Sequence, residues 1–198
     1  IFNQIQERDI DAKMARTCIR PLVVGSISVG EALLLAVGCA GIGLVLLVGV
    51  NLSAALAGLL SLLFYNGLYT PLKKHSSLTL LPGALSGALP VVVGWLAASG
   101  GVLDPQLWSL LFFMVLWQIP HFICIAIRER GDYSHAGLGL VPASVSSVQL
   151  VNLTRLWITA LAVVGLQLVA VGLISAQISV FVIVCVTLWL TLTMLVPF

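Results

Sequence analysis

Four long stretches of this chain carry no formal charge: residues 32–72, 75–103, 105–127 and 156–198 hold no Lys, Arg, Asp or Glu. Each is long enough for one or two membrane spans, because a helix needs about 20 apolar residues to cross the hydrocarbon. A backbone in lipid must satisfy its own hydrogen bonds, which leaves helices or a closed barrel. The runs are continuous Leu, Val, Ala and Gly without two-residue alternation, so they predict helices. Composition agrees. Of 198 residues, 60% are hydrophobic and 8% are charged, against about 25% charged in a soluble domain. The expected fold class is all-α, a polytopic transmembrane helical bundle.

Spans are expected near 30–50, 53–69, 78–98, 106–128, 150–172 and 177–198. Ser28 and Glu31 have capping-box spacing and would start the first of them. Val50-Asn51-Leu52-Ser53 separates the first two, a turn around 99–105 separates the third and fourth, and Ser175-Ala176-Gln177 separates the last two. Alternating these spans puts all nine Lys and Arg residues on one side of the bilayer. The other side receives only Asp104. The positive-inside rule makes the basic side cytoplasmic, or the matrix side in a mitochondrion. Glu7, Asp9, Asp11, Glu31, Glu129 and Asp132 fall on the same side, so three polar loops converge there. A transporter more often buries ionisable groups at mid-span. Here the spans are bare, which points to a site at the mouth of the bundle with an apolar cavity beneath it. Net charge is +2, too small to suggest a nucleic-acid partner. Cys18, Cys39, Cys124 and Cys185 are scattered without metal-ligand spacing. The chain starts at Ile1 and stops at Phe198 inside an apolar run, so we expect a single membrane domain, residues 1–198, truncated at both ends.

The polar stretch IFNQIQERDIDAKMARTCIRPL opens the chain. Asn3, Glu7 and Asp11 recur every four residues. In a helix they would lie on one face, one turn apart. Oxygen ligands suit a hard cation such as Mg²⁺, which usually keeps waters and substrate phosphates in its shell. Arg16 and Arg20 follow at once, and arginines hold phosphates by charge-assisted hydrogen bonds. The stretch therefore reads as a Mg²⁺–diphosphate grip, with metal ligands Asn3, Glu7 and Asp11. The competing reading is a solvated polar loop. A second constellation runs from Trp117-Gln118-Ile119-Pro120-His121 to Arg128 and then Asp132-Tyr133. Asp132 could be a further metal ligand facing Asp11. His121 could equally be a packing residue, and Arg128 a topology anchor. A third, Tyr69-Thr70-Pro71-Leu72-Lys73-Lys74, places Lys73 on the side where a diphosphate would sit. Gly83 and Gly87 have the four-residue spacing that lets helices approach closely.

These pieces together resemble the UbiA-type intramembrane prenyltransferases, and within them the protoheme IX farnesyltransferases, or haem O synthases. The matching segments are NQIQERDIDAKMART..RPL, YTPLKKHS, GALSGALPVVVGW and WQIPHF…DYSHAG, in the family's order over residues 3–137. The first marks the superfamily. The WQ.PHF…DY piece is more specific, because related quinone prenyltransferases carry an aspartate-rich sequence there. Val91 stands where the family often has a second proline, and Gly139-Leu140 replaces a common Pro-Met. Both changes touch cavity shape.

The resemblance implies nine helices in two related halves around a central cavity. This chain would then lack the first helix, most of the second, and the ninth. It implies farnesyl transfer from farnesyl diphosphate to a haem B vinyl group, in the bacterial plasma membrane or the mitochondrial inner membrane. Catalysis would rest on Asn3, Glu7, Asp11, Asp132 and His121, with Mg²⁺ as cofactor. Diphosphate would be held by Arg16, Arg20, Lys73 and Arg128, and the cavity lined by Tyr69, Trp117, Gln118 and Tyr133. His121 would orient the haem, ligate its iron or manage a proton. Haem A synthase and terminal-oxidase assembly factors are candidate partners. Two rivals stand beside this reading. One is a prenyltransferase for a quinone precursor or a chlorin, separable by acceptor profiling. The other is a transporter or haem-assembly scaffold, which predicts no loss of function when Asp11 or Asp132 becomes Asn.

Overall fold

The structure is a computed structural model. It describes residues 1–73, 80–98, 101–128, 131, 145–175, 177–178, 180–182 and 185. Three short helices come first: α1 (Phe2–Gln6), α2 (Arg8–Asp11) and α3 (Pro21–Val24). Then follow α4 (Val29–Val50), α5 (Leu52–Leu63), a π-helical turn (Phe64–Tyr69), α6 (Thr70–Leu72), α7 (Leu80–Ala98), α8 (Pro105–Arg128) and α9 (Ser147–Ala170). No strand occurs among the described residues. Five helices are long and apolar enough to span a bilayer: Val29–Val50, Leu52–Leu72, Leu80–Ala98, Pro105–Arg128 and Ser147–Ala170. These match five of the expected spans. The second runs on past residue 69, because the chain stays helical through Pro71. The fifth starts at Ser147, where Ser146 and Gln149 form a capping box. It stops at Ala170, because Gly172 takes φ 75° and turns the chain. The sixth expected span lies mostly outside the described residues.

Local chemistry sets the ends. Ser28 Oγ accepts from Glu31 N at 3.2 Å while Glu31 Oε2 accepts from Ser28 N at 2.8 Å, the expected capping box. Asn51 forms the break between α4 and α5. Its N–H closes α4 on Leu47 O, its Oδ1 caps Ala54 N at 2.7 Å, and its Nδ2 reaches across to Leu96 O at 2.8 Å. Beside it, Trp95 Nε1 donates to Asp104 Oδ2 at 3.1 Å. The two turns opposite the charged side are thus tied together.

Each long helix packs on the next in sequence, α4 on α5, α5 on α7, α7 on α8 and α8 on α9. Lipid supplies no hydrophobic force between helices, so close approach of small residues matters most. Ala54, Ala84 and Ala88 are fully buried at these contacts. Gly87 works differently from a plain packing stripe. Gln118 Nε2 lies 2.5 Å from where a β-carbon on Gly87 would stand, so a larger residue there would push that amide aside. Outward faces such as Leu34, Val45, Leu60 and Leu156 are exposed, as expected for helices bathed in hydrocarbon.

Candidate functional site

The N-terminal motif does not form one continuous helix. It breaks at Glu7, whose φ of −103° and ψ of 10° end α1 and start α2. The four-residue spacing survives the break. Glu7 N bonds Asn3 O and Asp11 N bonds Glu7 O, each at 2.8 Å. Asn3, Glu7 and Asp11 therefore still follow one another turn by turn. Glu7 and Asp11 are buried, at 6% and 4% exposure, and Asn3 is half-buried.

Two buried carboxylates need partners, since an unpaired charge out of water costs several kcal/mol. Asp11 Oδ2 pairs with Arg20 Nη1 at 2.6 Å, and Glu7 Oε1 pairs with Lys73 Nζ at 3.2 Å. The first pair is local: residues 12–20 fold back as turns, held by Thr17 Oγ1 donating to Asp11 O. The second joins the motif to the end of the second span. Tyr65 lies within electrostatic reach of Glu7, Lys73 and Arg20. Each ion pair engages one carboxylate oxygen, while a carboxylate offers about four acceptor positions. Oxygen donors with cations interleaved are a chemistry that fits a hard divalent ion and a diphosphate together.

The second constellation is built on one continuous helix. Trp117 stacks on His121, ring centroids 5.2 Å apart and planes 13° from parallel, as residues four apart on one face do. Phe122 tilts against His121 at 5.9 Å. Trp117, His121, Cys124 and Phe113 line one wall of a cavity of about 720 Å³, and Leu161, Gly165 and Ile174 line the facing side. That volume suits a small-molecule site, which typically runs about 300–1,000 Å³.

The two constellations touch at Gly83. Tyr69 Cε2 and Phe122 Cζ lie 2.8 and 3.2 Å from its would-be β-carbon. One turn beyond Tyr69 is Lys73, whose N–H bonds Tyr69 O. A path thus runs from Glu7 through Lys73 and Tyr69, across Gly83, to Phe122, His121 and Trp117. Of the remaining expected site residues, Gln118 is buried on Gly87, while Arg16 and Arg128 are exposed at the motif and at the end of α8. Asp132 and Tyr133 lie outside the described residues. Among the described residues no group of three His, Cys, Asp or Glu stands close enough to hold a metal ion.

Residues 1–196 match the family described as UbiA prenyltransferase. The chain belongs to that family. It is 43% identical to the protoheme IX farnesyltransferase of Oleidesulfovibrio alaskensis, over 93% of this chain and 65% of that protein. It is 39% identical to the protein of the same name from Geobacter sulfurreducens, over 90% and 66%. With the Bacillus pumilus protein of that name it shares 37% identity, over 71% and 46%. The chain thus spans under two thirds of the length of these relatives. No solved structure matches it significantly.

Gln6 and Thr70 stood inside the quoted motifs without a role of their own, and Asn66 stood outside them. Gln6 Nε2 donates to Asn66 O at 3.1 Å, and Thr70 Oγ1 donates to Tyr65 O at 2.8 Å. Their one sequence signal is Pro71, which withdraws a donor from a helix that continues through it.

Proposed function

We propose that this chain is the greater part of a single prenyltransferase domain that transfers a farnesyl group from farnesyl diphosphate to a vinyl group of haem B, making haem O. The observation that carries the proposal is the pair of buried carboxylates, Glu7 and Asp11, held by Lys73 and Arg20 and connected through Tyr69 and Phe122 to an apolar cavity. The names of the relatives support the choice of acceptor.

Asn3, Glu7 and Asp11, with Asp132, would hold Mg²⁺. When bound, it supplies charge stabilisation on the diphosphate. Two protein carboxylates suffice, since Mg²⁺ usually takes one or two and completes its shell with phosphates and water. Lys73 and Arg20, joined by Arg16 and Arg128, hold the diphosphate oxygens as the carbon–oxygen bond breaks and negative charge develops on the leaving group. Trp117 borders the apolar space in which the allylic cation is kept from stray water, and Tyr69 and Tyr133 would complete its lining. The vinyl group attacks that cation. Water then adds at the adjacent carbon and loses a proton, giving the hydroxyethylfarnesyl side chain. His121 stands on the acceptor side. The active face is cytoplasmic or matrix-facing.

The test uses the full-length gene in cells lacking their own haem O synthase. Haems are extracted and separated by chromatography and mass. Haem O is expected with the wild type and absent with Glu7→Gln. Haem B alone, from a wild-type protein shown to be in the membrane, would overturn the proposal.

A further inference from the structure

The turn Phe64–Tyr69 is a π-helix inside an otherwise α-helical span. Such turns are rare and are found mostly at functional sites. In this register each N–H bonds the carbonyl five residues back, and Thr70 N–H accordingly goes to Tyr65 O. The Thr70 hydroxyl joins it on the same carbonyl at 2.8 Å, and Thr70 is 1% exposed. Thr70 thus fastens the wide turn with two donors. The next carbonyl, that of Asn66, would look in the α register to Thr70 N–H, which is committed. In the π register it would look to residue 71, which is proline and has no N–H. The ladder therefore withholds its donor from Asn66 O. Gln6 Nε2 supplies one, at 3.1 Å. The next residue, Glu7, meets Lys73 at 3.2 Å.

We propose that the π-helical turn and Pro71 form a docking site for the N-terminal motif, and that Gln6 and Thr70 are positioning residues that set Glu7 against Lys73. A carbonyl left open by the span takes the Gln6 amide, and that bond fixes the approach of the residue beside it. Thr70 acts one step earlier, by holding the register in which Pro71 falls opposite Asn66. The consequence for turnover rests on the diphosphate-grip reading above. The docking itself does not.

The test separates the two. In the full-length protein in membranes, the reactivity of Lys73 toward an amine reagent is measured by mass spectrometry, alongside the half-saturating concentrations of Mg²⁺ and farnesyl diphosphate. Gln6→Met keeps the length of the side chain and removes the donor. It should raise Lys73 labelling and raise half-saturation by roughly two- to tenfold, the worth of one hydrogen bond, with kcat within about twofold. Gln6→Lys, which restores a donor, should return both. Pro71→Ala gives Asn66 O a ladder N–H again, so in that background Gln6→Met should have little further effect. Unchanged Lys73 labelling in Gln6→Met, or an undiminished effect of it in the Pro71→Ala background, would overturn the docking proposal whatever the activity. Raised labelling in a protein whose wild type transfers no farnesyl group would support docking and sink the diphosphate-grip reading alone.

Discussion

The charged half of the site and its apolar half are built by opposite means. Glu7 is the break between helices of five and four residues, and Asp11 ends the second; neither helix has the length to sustain itself. What holds them is a set of polar contacts: Arg20 on Asp11, Lys73 on Glu7, Gln6 on Asn66 O, Thr17 on Asp11 O. Trp117, Gln118 and His121 ride on one helix of 24 residues whose own ladder fixes their spacing. The first half is precise only while its ions are paired, and the second is precise by packing. On the reading proposed above, a cation-binding half needs carboxylates that can exchange partners, whereas a cavity wall needs shape. The difference follows from that division of labour.

The largest effect is expected at the Asp11–Arg20 pair. The Asp11 side chain is 6% exposed and that of Arg20 is 27%. Arg20→Ala strands a carboxylate out of water, which should cost about 3 kcal/mol. Asp11→Asn strands instead a guanidinium that still reaches solvent, and should cost about 1 kcal/mol or less. Both should lower kcat by on the order of 10²–10³, the usual loss when one charge-stabilising group is removed. Thermal midpoints of the purified full-length protein, beside the rate of the farnesyl transfer proposed above, check this. Equal destabilisation by the two variants would show that Asp11 is not the buried partner.

A substitution where the halves touch should do less. Gly83→Val places carbon atoms against Tyr69 and Phe122, which already lie at 2.8 and 3.2 Å from the β-carbon position. Overpacking of that kind costs about 1–3 kcal/mol. On the reading proposed above, the displaced rings lie on the path from Lys73 to His121, so the half-saturating haem concentration should rise together with that of farnesyl diphosphate. A rise in only one would show that the two halves act separately.

The same contrast decides how much the sequence disclosed. Five of the six expected spans were legible because hydrocarbon imposes long uncharged runs, and the Ser28–Glu31 cap because its spacing is local. The Trp117–His121 stack was not anticipated, though both residues stood in the second constellation and their four-residue interval places them on one helix face. The polar motif was legible in composition and spacing, yet its break at Glu7 was not. Neither was the partition of its carboxylates between Arg20 and Lys73, 9 and 66 residues along the chain from them. Long-range pairing of that kind leaves no periodicity. Gly87 was read as a packing glycine, but what it admits is the Gln118 amide, a partner 31 residues away that no helical spacing names.

The smallest expected effect lies at the far end of the bundle. Asn51 is half-buried and serves three elements at once: it closes α4, caps α5 and bonds Leu96 O of α7. Asn51→Ala removes the cap and the cross-helix bond, at a cost of about 0.5–2 kcal/mol. Nearby, Trp95 and Asp104 pin α7 to the start of α8 through a separate bond, so the turn does not come apart. The thermal midpoint should therefore fall by a few degrees while kcat and both half-saturation values stay within about twofold. If Asn51→Ala instead raised half-saturation as Gly83→Val is expected to, the charged half could not be a local device. Its geometry would then depend on how α4, α5 and α7 converge at the opposite side of the membrane.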